Sequence, residues 1–172
     1  LINYGIRPGD HIAVLSENRP EWAIAYLAVQ SAGGVVIPID RMLPANGIRH
    51  IIADSAARLI FTATSFIEIL HDVEPIPTLE TMVCFDLPSA ENMIAWSEVV
   101  KAGEKIDMVL PSREMEELAA ILYTSGTTGH SKGVMLSQKN IMSNVTSAYR
   151  CLPLGTSDTF LSVLPVHHSF EC

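Results

Sequence analysis

The stretch Tyr123-Thr124-Ser125-Gly126-Thr127-Thr128-Gly129-His130-Ser131-Lys132-Gly133 interleaves hydroxyls with glycines and carries a single lysine. These residue types suit an anion. Glycine lets the backbone approach closely and adopts the positive φ angles that make successive N–H groups converge. Ser and Thr add neutral donors, and Lys132 adds a mobile positive charge. The pattern departs from Gly-x-x-x-x-Gly-Lys-Ser/Thr, the common nucleotide loop. Counted from Gly126, the second glycine position holds Ser131, and Gly133 follows the lysine. The next residues, Val134-Met135-Leu136, read as a short strand rather than a helix start. A phosphate would therefore sit on a strand–loop–strand turn with no helix dipole directly behind it. The plainer alternative is an ordinary hairpin turn rich in Gly, Ser and Thr.

A second cluster stands near the end of the chain. Residues 159–164, Thr-Phe-Leu-Ser-Val-Leu, alternate like a strand that stops at Pro165. Val166-His167-His168-Ser169-Phe170-Glu171 follow. Two histidines, an aromatic ring and a carboxylate at a strand-to-loop transition are where active-site residues often lie. A metal site is disfavoured, because no third or fourth ligand stands at a useful spacing. A polar strand end is the structural alternative.

Elements able to position these residues can be read upstream. The apolar run 118–122 predicts a buried strand leading into the Gly/Ser/Thr stretch. Near the start, a turn at 5–10 precedes a strand at 11–15. A helix follows, with Asn18 as its cap and Pro20 in its first turn, where the missing N–H is harmless. Trp22, Ala25, Tyr26, Val29 and Gln30 recur at helical spacing until Gly33-Gly34 ends the helix. Trp22 and Tyr26 are expected in the core. Residues 35–39 form the next strand, which completes a βαβ unit and favours a parallel sheet. Further expectations are a helix over 46–57 capped by Asn46, a strand at 58–62, a helix at 65–71, and a strand at 81–85. A connector spans 86–112 with a helix at 95–101, and Ser137 caps a helix over 139–149. Glu114, Glu116 and Glu117 are expected on a solvated turn, without acid–base work, since nothing buries them. The fold class is α/β, a mainly parallel sheet with flanking helices.

Composition bounds the function. A chain of 172 residues, 48% hydrophobic, can build one real core. A net charge of −8 argues against a nucleic-acid surface. Cys84, Cys151 and Cys172 form no spacing pattern, which points to a reducing compartment, the cytoplasm. No apolar run is long enough to span a membrane.

The stretch from Tyr123 to Val134 resembles the signature loop of the adenylate-forming enzymes, the superfamily of acyl-CoA synthetases, peptide-synthetase adenylation domains and luciferases. The resemblance assigns the β- and γ-phosphates of ATP to Thr124, Ser125, Gly126, Thr127, Thr128, Gly129 and Lys132. The segment Leu164-Pro165-Val166-His167-His168-Ser169-Phe170-Glu171 is similar to the long-chain acyl-CoA synthetase branch, and so is the opening region 15–22. It implies that His168, Phe170 and Glu171 line the acyl pocket and the thioester channel. The implied parent is a fatty-acid–CoA ligase using ATP, Mg²⁺ and CoA, with room for peripheral membrane contact. The resemblance covers essentially the whole chain but only the front of such an enzyme. The adenine-binding Thr-Glu motif, the ribose-holding Asp and the C-terminal domain with its catalytic Lys are missing, so the chain supplies no catalytic residue of its own. The ends look cut, at the helix-like residues 1–4 and at Cys172. The chain is therefore expected to be a partial N-terminal AMP-binding domain, catalytically silent alone and prone to self-association. An acyl-carrier-protein ligase, an aryl-acid ligase and a non-catalytic nucleotide-binding module remain the alternatives.

Overall fold

The protein is described by a computed structural model covering residues 1–71, 75–104, 109–124, 131–151, 155–159 and 161–168. After a single 3₁₀ turn at Ile2–Tyr4, the chain alternates strands and helices. In order these are β1 (His11–Leu15), α1 (Pro20–Ser31), β2 (Val35–Pro38), α2 (Ala45–Asp54) and β3 (Leu59–Thr62). A 3₁₀ turn at Thr64–Phe66 leads into α3 (Ile67–His71), then β4 (Thr81–Cys84), β5 (Met93–Ala95) and α4 (Trp96–Gly103). The chain continues through β6 (Leu118–Thr124), β7 (Lys132–Ser137) and α5 (Gln138–Cys151).

One sheet takes the order β5-β4-β3-β1-β2-β6-β7. Every neighbouring pair is parallel except β6–β7, which is antiparallel. The expected α/β architecture is therefore present. A parallel sheet needs cover on both faces, and the buried residues divide accordingly. Ile12 and Val14 pack with Trp22, Ala25 and Val29 of α1 and with Phe61 of β3. Their neighbours Ala13 and Leu15 point the other way, against Ile48, Ile51 and Ile52 of α2. Trp22 and Tyr26 stack at 5.3 Å inside the first of these layers, as anticipated.

Helix boundaries follow local chemistry. At the end of α1, Gly33 N–H donates to the Gln30 carbonyl and Gly34 N–H to that of Val29, with Gly33 at φ 82. This is a Schellman stop, and it needs the residue without a side chain. The start of α1 corrects the sequence reading. Its N-cap is Arg19, extended and without a side-chain cap bond, not Asn18. A residue before proline is pushed to extended backbone, and Pro20 has no N–H to cap. Asn46 is likewise not a cap. The helix begins at Ala45 behind Pro44, whose carbonyl receives the N–H groups of Gly47 and Ile48. It ends at Asp54 rather than near residue 57, where Ala56 takes a positive φ of 51. Ser137 does cap α5. Its hydroxyl accepts from Asn140 N–H at 3.3 Å, while its own N–H donates to Asn140 Oδ1 at 2.9 Å. The three-residue β5 is too short for an alternation to mark it.

The strand expected at 159–164 is absent among the described residues of that segment. Leu161 and Val163 are exposed, and the alternation that suggested a strand finds no ladder to join. The segment is instead held end-on, as described below.

Beyond the carboxyl ends of β1 and β4, Arg19 forms a charged node. Its Nε donates to Glu21 at 2.9 Å and its Nη1 to Asp86 at 2.7 Å, with the guanidinium 5.0 Å above the Phe85 ring. Burial tends to raise the Asp86 carboxyl, but Thr64 N–H and Arg19 outweigh it and hold it below the ordinary value. The bond to Arg19 lowers Glu21 in the same way. A lowered carboxyl contributes stability that is present above the unfolded pKa of about 4 and is lost as pH falls through the folded value. We expect the melting temperature to fall between pH 5 and pH 3, as a thermal scan would show, and to fall less in Asp86→Asn. Equal slopes would remove Asp86 from this account. Among the described residues, no helix is long and apolar enough to cross a membrane.

Candidate functional site

In open α/β sheets, ligands gather beyond the carboxyl ends of the strands. β6 runs parallel to β2, so its last residue, Thr124, emerges at that edge. The chain returns antiparallel as β7, with Thr124 paired to Lys132 and Tyr123 to Gly133. β6 and β7 are thus the two strands that flank the Gly/Ser/Thr stretch, as read from the sequence, and they pair as an antiparallel hairpin. Thr124 and Lys132 are exposed at its two shoulders. Ser125, Gly126, Thr127, Thr128 and Gly129 lie outside the described residues, as do Phe170 and Glu171.

Several ties seat the hairpin. Arg113 donates to the carbonyls of Gly34 (2.9 Å) and Leu118 (2.6 Å) and pairs with Glu117 at 3.1 Å. Gln30 Nε2 donates to the Ala119 carbonyl at 2.9 Å. Glu117 accepts the N–H of Glu114, which with Arg113 lowers its carboxyl. Lys139 reaches Glu116 at 2.7 Å. The acidic cluster is therefore an exposed turn, as expected.

Tyr123 closes the hairpin stem from one side. A Cβ on Gly133 would lie 2.7 Å from Ile121 Cγ2 and 3.3 Å from Tyr123 Cζ, so the ring occupies the space a side chain would take. The Tyr123 hydroxyl donates to Asp54 Oδ2 at 2.6 Å. Burial first, then the Asp54 carboxylate, raises this phenol above its ordinary range, so it stays a donor. A Gly133→Ala chain should lose about 1–3 kcal/mol of stability from overpacking, since Ile121 is stiff at χ1. Urea unfolding reads this directly, and an unchanged midpoint would show that the stem yields freely.

The second cluster reaches the same edge. Asn18 Nδ2 donates to the Leu164 carbonyl at 2.6 Å, and Val166 N–H donates to Asn18 Oδ1 at 3.2 Å. One amide therefore reads two backbone groups of this segment, the work that displaced Asn18 from capping. His167 Nε2 lies 3.5 Å from Asp40 Oδ1, just past β2. Burial pushes the His167 imidazole below its ordinary value, more than Asp40 raises it, so the ring is neutral at pH 7. His168 is exposed, its N–H bonded to the Pro165 carbonyl at 2.9 Å. Thr124, Lys132 and His168 are thus brought to one sheet edge. Sequence reasoning missed Asp40, Asp54 and His50 as supports, because their partners lie far along the chain. Among the described residues, no group of three His, Cys, Asp or Glu side chains could hold a metal ion.

The whole chain, residues 1–172, matches the family described as AMP-binding enzyme. The chain belongs to that family. Fatty acyl-CoA synthetase A of Dictyostelium discoideum is 33% identical over 184 residues, covering 99% of this chain and 27% of the relative. An L-proline–[L-prolyl-carrier protein] ligase of Streptomyces coelicolor is 33% identical over 176 residues, covering 99% of this chain and 32% of the relative. The crystal structure of ATP-bound MatB from Rhodopseudomonas palustris superposes with a TM-score of 0.81 at 26% identity, over 99% of this chain and 33% of that one. The chain therefore spans about a third or less of each of these three proteins.

Proposed function

We propose that the complete protein is an AMP-forming fatty-acid–CoA ligase acting on medium or long acyl chains. The observation that carries this reading is the hairpin at the carboxyl edge, which sets exposed Lys132 opposite Thr124. The segment 164–168, pinned to that edge by Asn18, is its companion. Similarity to Fatty acyl-CoA synthetase A supports the acyl substrate.

A carboxylate oxygen of the fatty acid attacks the α-phosphorus of ATP. The bond to the bridging oxygen of the β-phosphate breaks, leaving acyl-adenylate and pyrophosphate. The CoA sulfur then attacks the acyl carbonyl, and AMP leaves with its electron pair. Thr124, Ser125, Gly126, Thr127, Thr128, Gly129 and Lys132 hold the β- and γ-phosphates and neutralise charge that grows as pyrophosphate departs. His168, Phe170 and Glu171 line the acyl side. Mg²⁺ arrives on the phosphates of ATP, in keeping with its habit of binding through substrate oxygens. Free thiols at buried Cys84 and exposed Cys151 favour a reducing compartment, the cytoplasm.

A carrier-protein ligase is the second reading, favoured by the 33% identity to the prolyl-carrier-protein enzyme. The complete protein, given ATP and Mg²⁺, should release AMP with palmitate and CoA. AMP released only with an amino acid or aryl acid, or only with a carrier protein as acceptor, would replace the first reading.

A further inference from the structure

Both shoulders of the hairpin tip are tied to one face of α2. Tyr123, immediately before Thr124, donates to Asp54 at 2.6 Å. Ser131, immediately before Lys132, has its carbonyl 3.1 Å from His50 Nε2. His50 and Asp54 are four residues apart, so they stand one helical turn apart on the same side of α2. The His50 ring also meets the Tyr123 ring edge-on, with centroids 6.4 Å apart at 85°. A carbonyl can only accept, so the imidazole presents N–H at Nε2. The helix itself is fixed by Ile48, Ile51 and Ile52, all buried in the core. The two tips of a hairpin that must hold a multiply charged group are thus referenced to a rigid element.

We infer that His50 is a positioning residue for the phosphate-holding hairpin: its N–H fixes the Ser131 carbonyl and so sets where the Lys132 ammonium can reach. It touches no substrate. The inference rests on the phosphate role given to the hairpin above, but the tie itself does not. Loss of the N–H frees the peptide that leads into Lys132, and the cost falls on the nucleotide rather than on the acyl chain.

Two variants of the complete protein separate donor from ring. His50→Gln keeps an N–H close to the position of Nε2, whereas His50→Phe keeps the ring against Tyr123 and loses the donor. Two readouts are taken, hydrogen exchange of backbone amides 131–133 and steady-state kinetics. In His50→Phe these amides should exchange faster, and KM for ATP should rise about 5–10-fold, the loss of one hydrogen bond. KM for palmitate should stay unchanged, and His50→Gln should recover most of both effects. Wild-type exchange in His50→Phe would overturn the tie. Faster exchange with an unchanged KM for ATP would overturn the positioning role. Equal rises in both KM values would show a general structural defect and overturn it too. If the wild-type protein shows no ATP-dependent activity, the functional reading fails. Hydrogen exchange then still decides the tie, and the positioning role falls with the activity.

Discussion

Replacing Lys132 with alanine should lower palmitate-dependent turnover of the complete protein on the order of 100-fold, the usual cost of removing one group aimed at developing charge. Lys132 opens β7 and is exposed opposite Thr124, at the end of a sequence stretch rich in hydroxyls and glycines. Hydroxyls and backbone N–H groups can orient a polyphosphate. On the proposed reading, the Lys132 ammonium would bring a full opposite charge to the pyrophosphate as the bond to the α-phosphorus breaks. KM for palmitate should change little, because the acyl side is assigned to the other segment. Single-turnover measurement of adenylate formation isolates the step. Wild-type rates in Lys132→Ala would remove the lysine from the chemistry.

Phe61→Ala should cost about 3–5 kcal/mol of stability, the range for deleting a buried aromatic side chain. Phe61 is fully buried in the central sheet on β3. Its ring stacks on Phe85 at 6.1 Å and meets Trp96 edge-on at 5.8 Å, while Phe85 and Trp96 contact each other at 5.3 Å. Removing the Phe61 ring leaves a cavity that its two rigid neighbours, Phe85 and Trp96, cannot collapse into, and both aromatic contacts are lost with it. The damage should spread toward the site. Arg19 lies over Phe85, and Arg19 is followed by the first turn of α1 and preceded by Asn18, which holds residues 164–166. Urea unfolding of Phe61→Ala against wild type gives the number. A loss below about 1 kcal/mol would mean that the layer repacks.

The central βαβ pattern was legible because its signals are local. Mostly apolar runs at β1, β2 and β3, a proline opening α1 and the paired glycines closing it are all contained within a few residues. The strands of the hairpin were legible for the same reason, since the apolar run 118–122 and the short run after Lys132 are each local. What escaped were roles decided by distant partners. Asn18 reads as a cap in any window around it, yet its amide serves residues 164 and 166. His50 looks like one polar position of an amphipathic helix, and only the fold sets it beside Ser131. The alternation at 159–164 imitates a strand, but alternation creates a strand only where a neighbour offers hydrogen bonds.

The most direct measurement follows an oxygen atom. The complete protein is given palmitate labelled with ¹⁸O in both carboxylate oxygens, together with ATP, Mg²⁺ and CoA, and the nucleotide product is weighed by mass spectrometry. If a carboxylate oxygen attacks the α-phosphorus and CoA later displaces AMP at the acyl carbon, that oxygen stays with the phosphate. The account predicts AMP carrying one ¹⁸O, formed in step with palmitoyl-CoA. Unlabelled AMP, or ADP in its place, would contradict it.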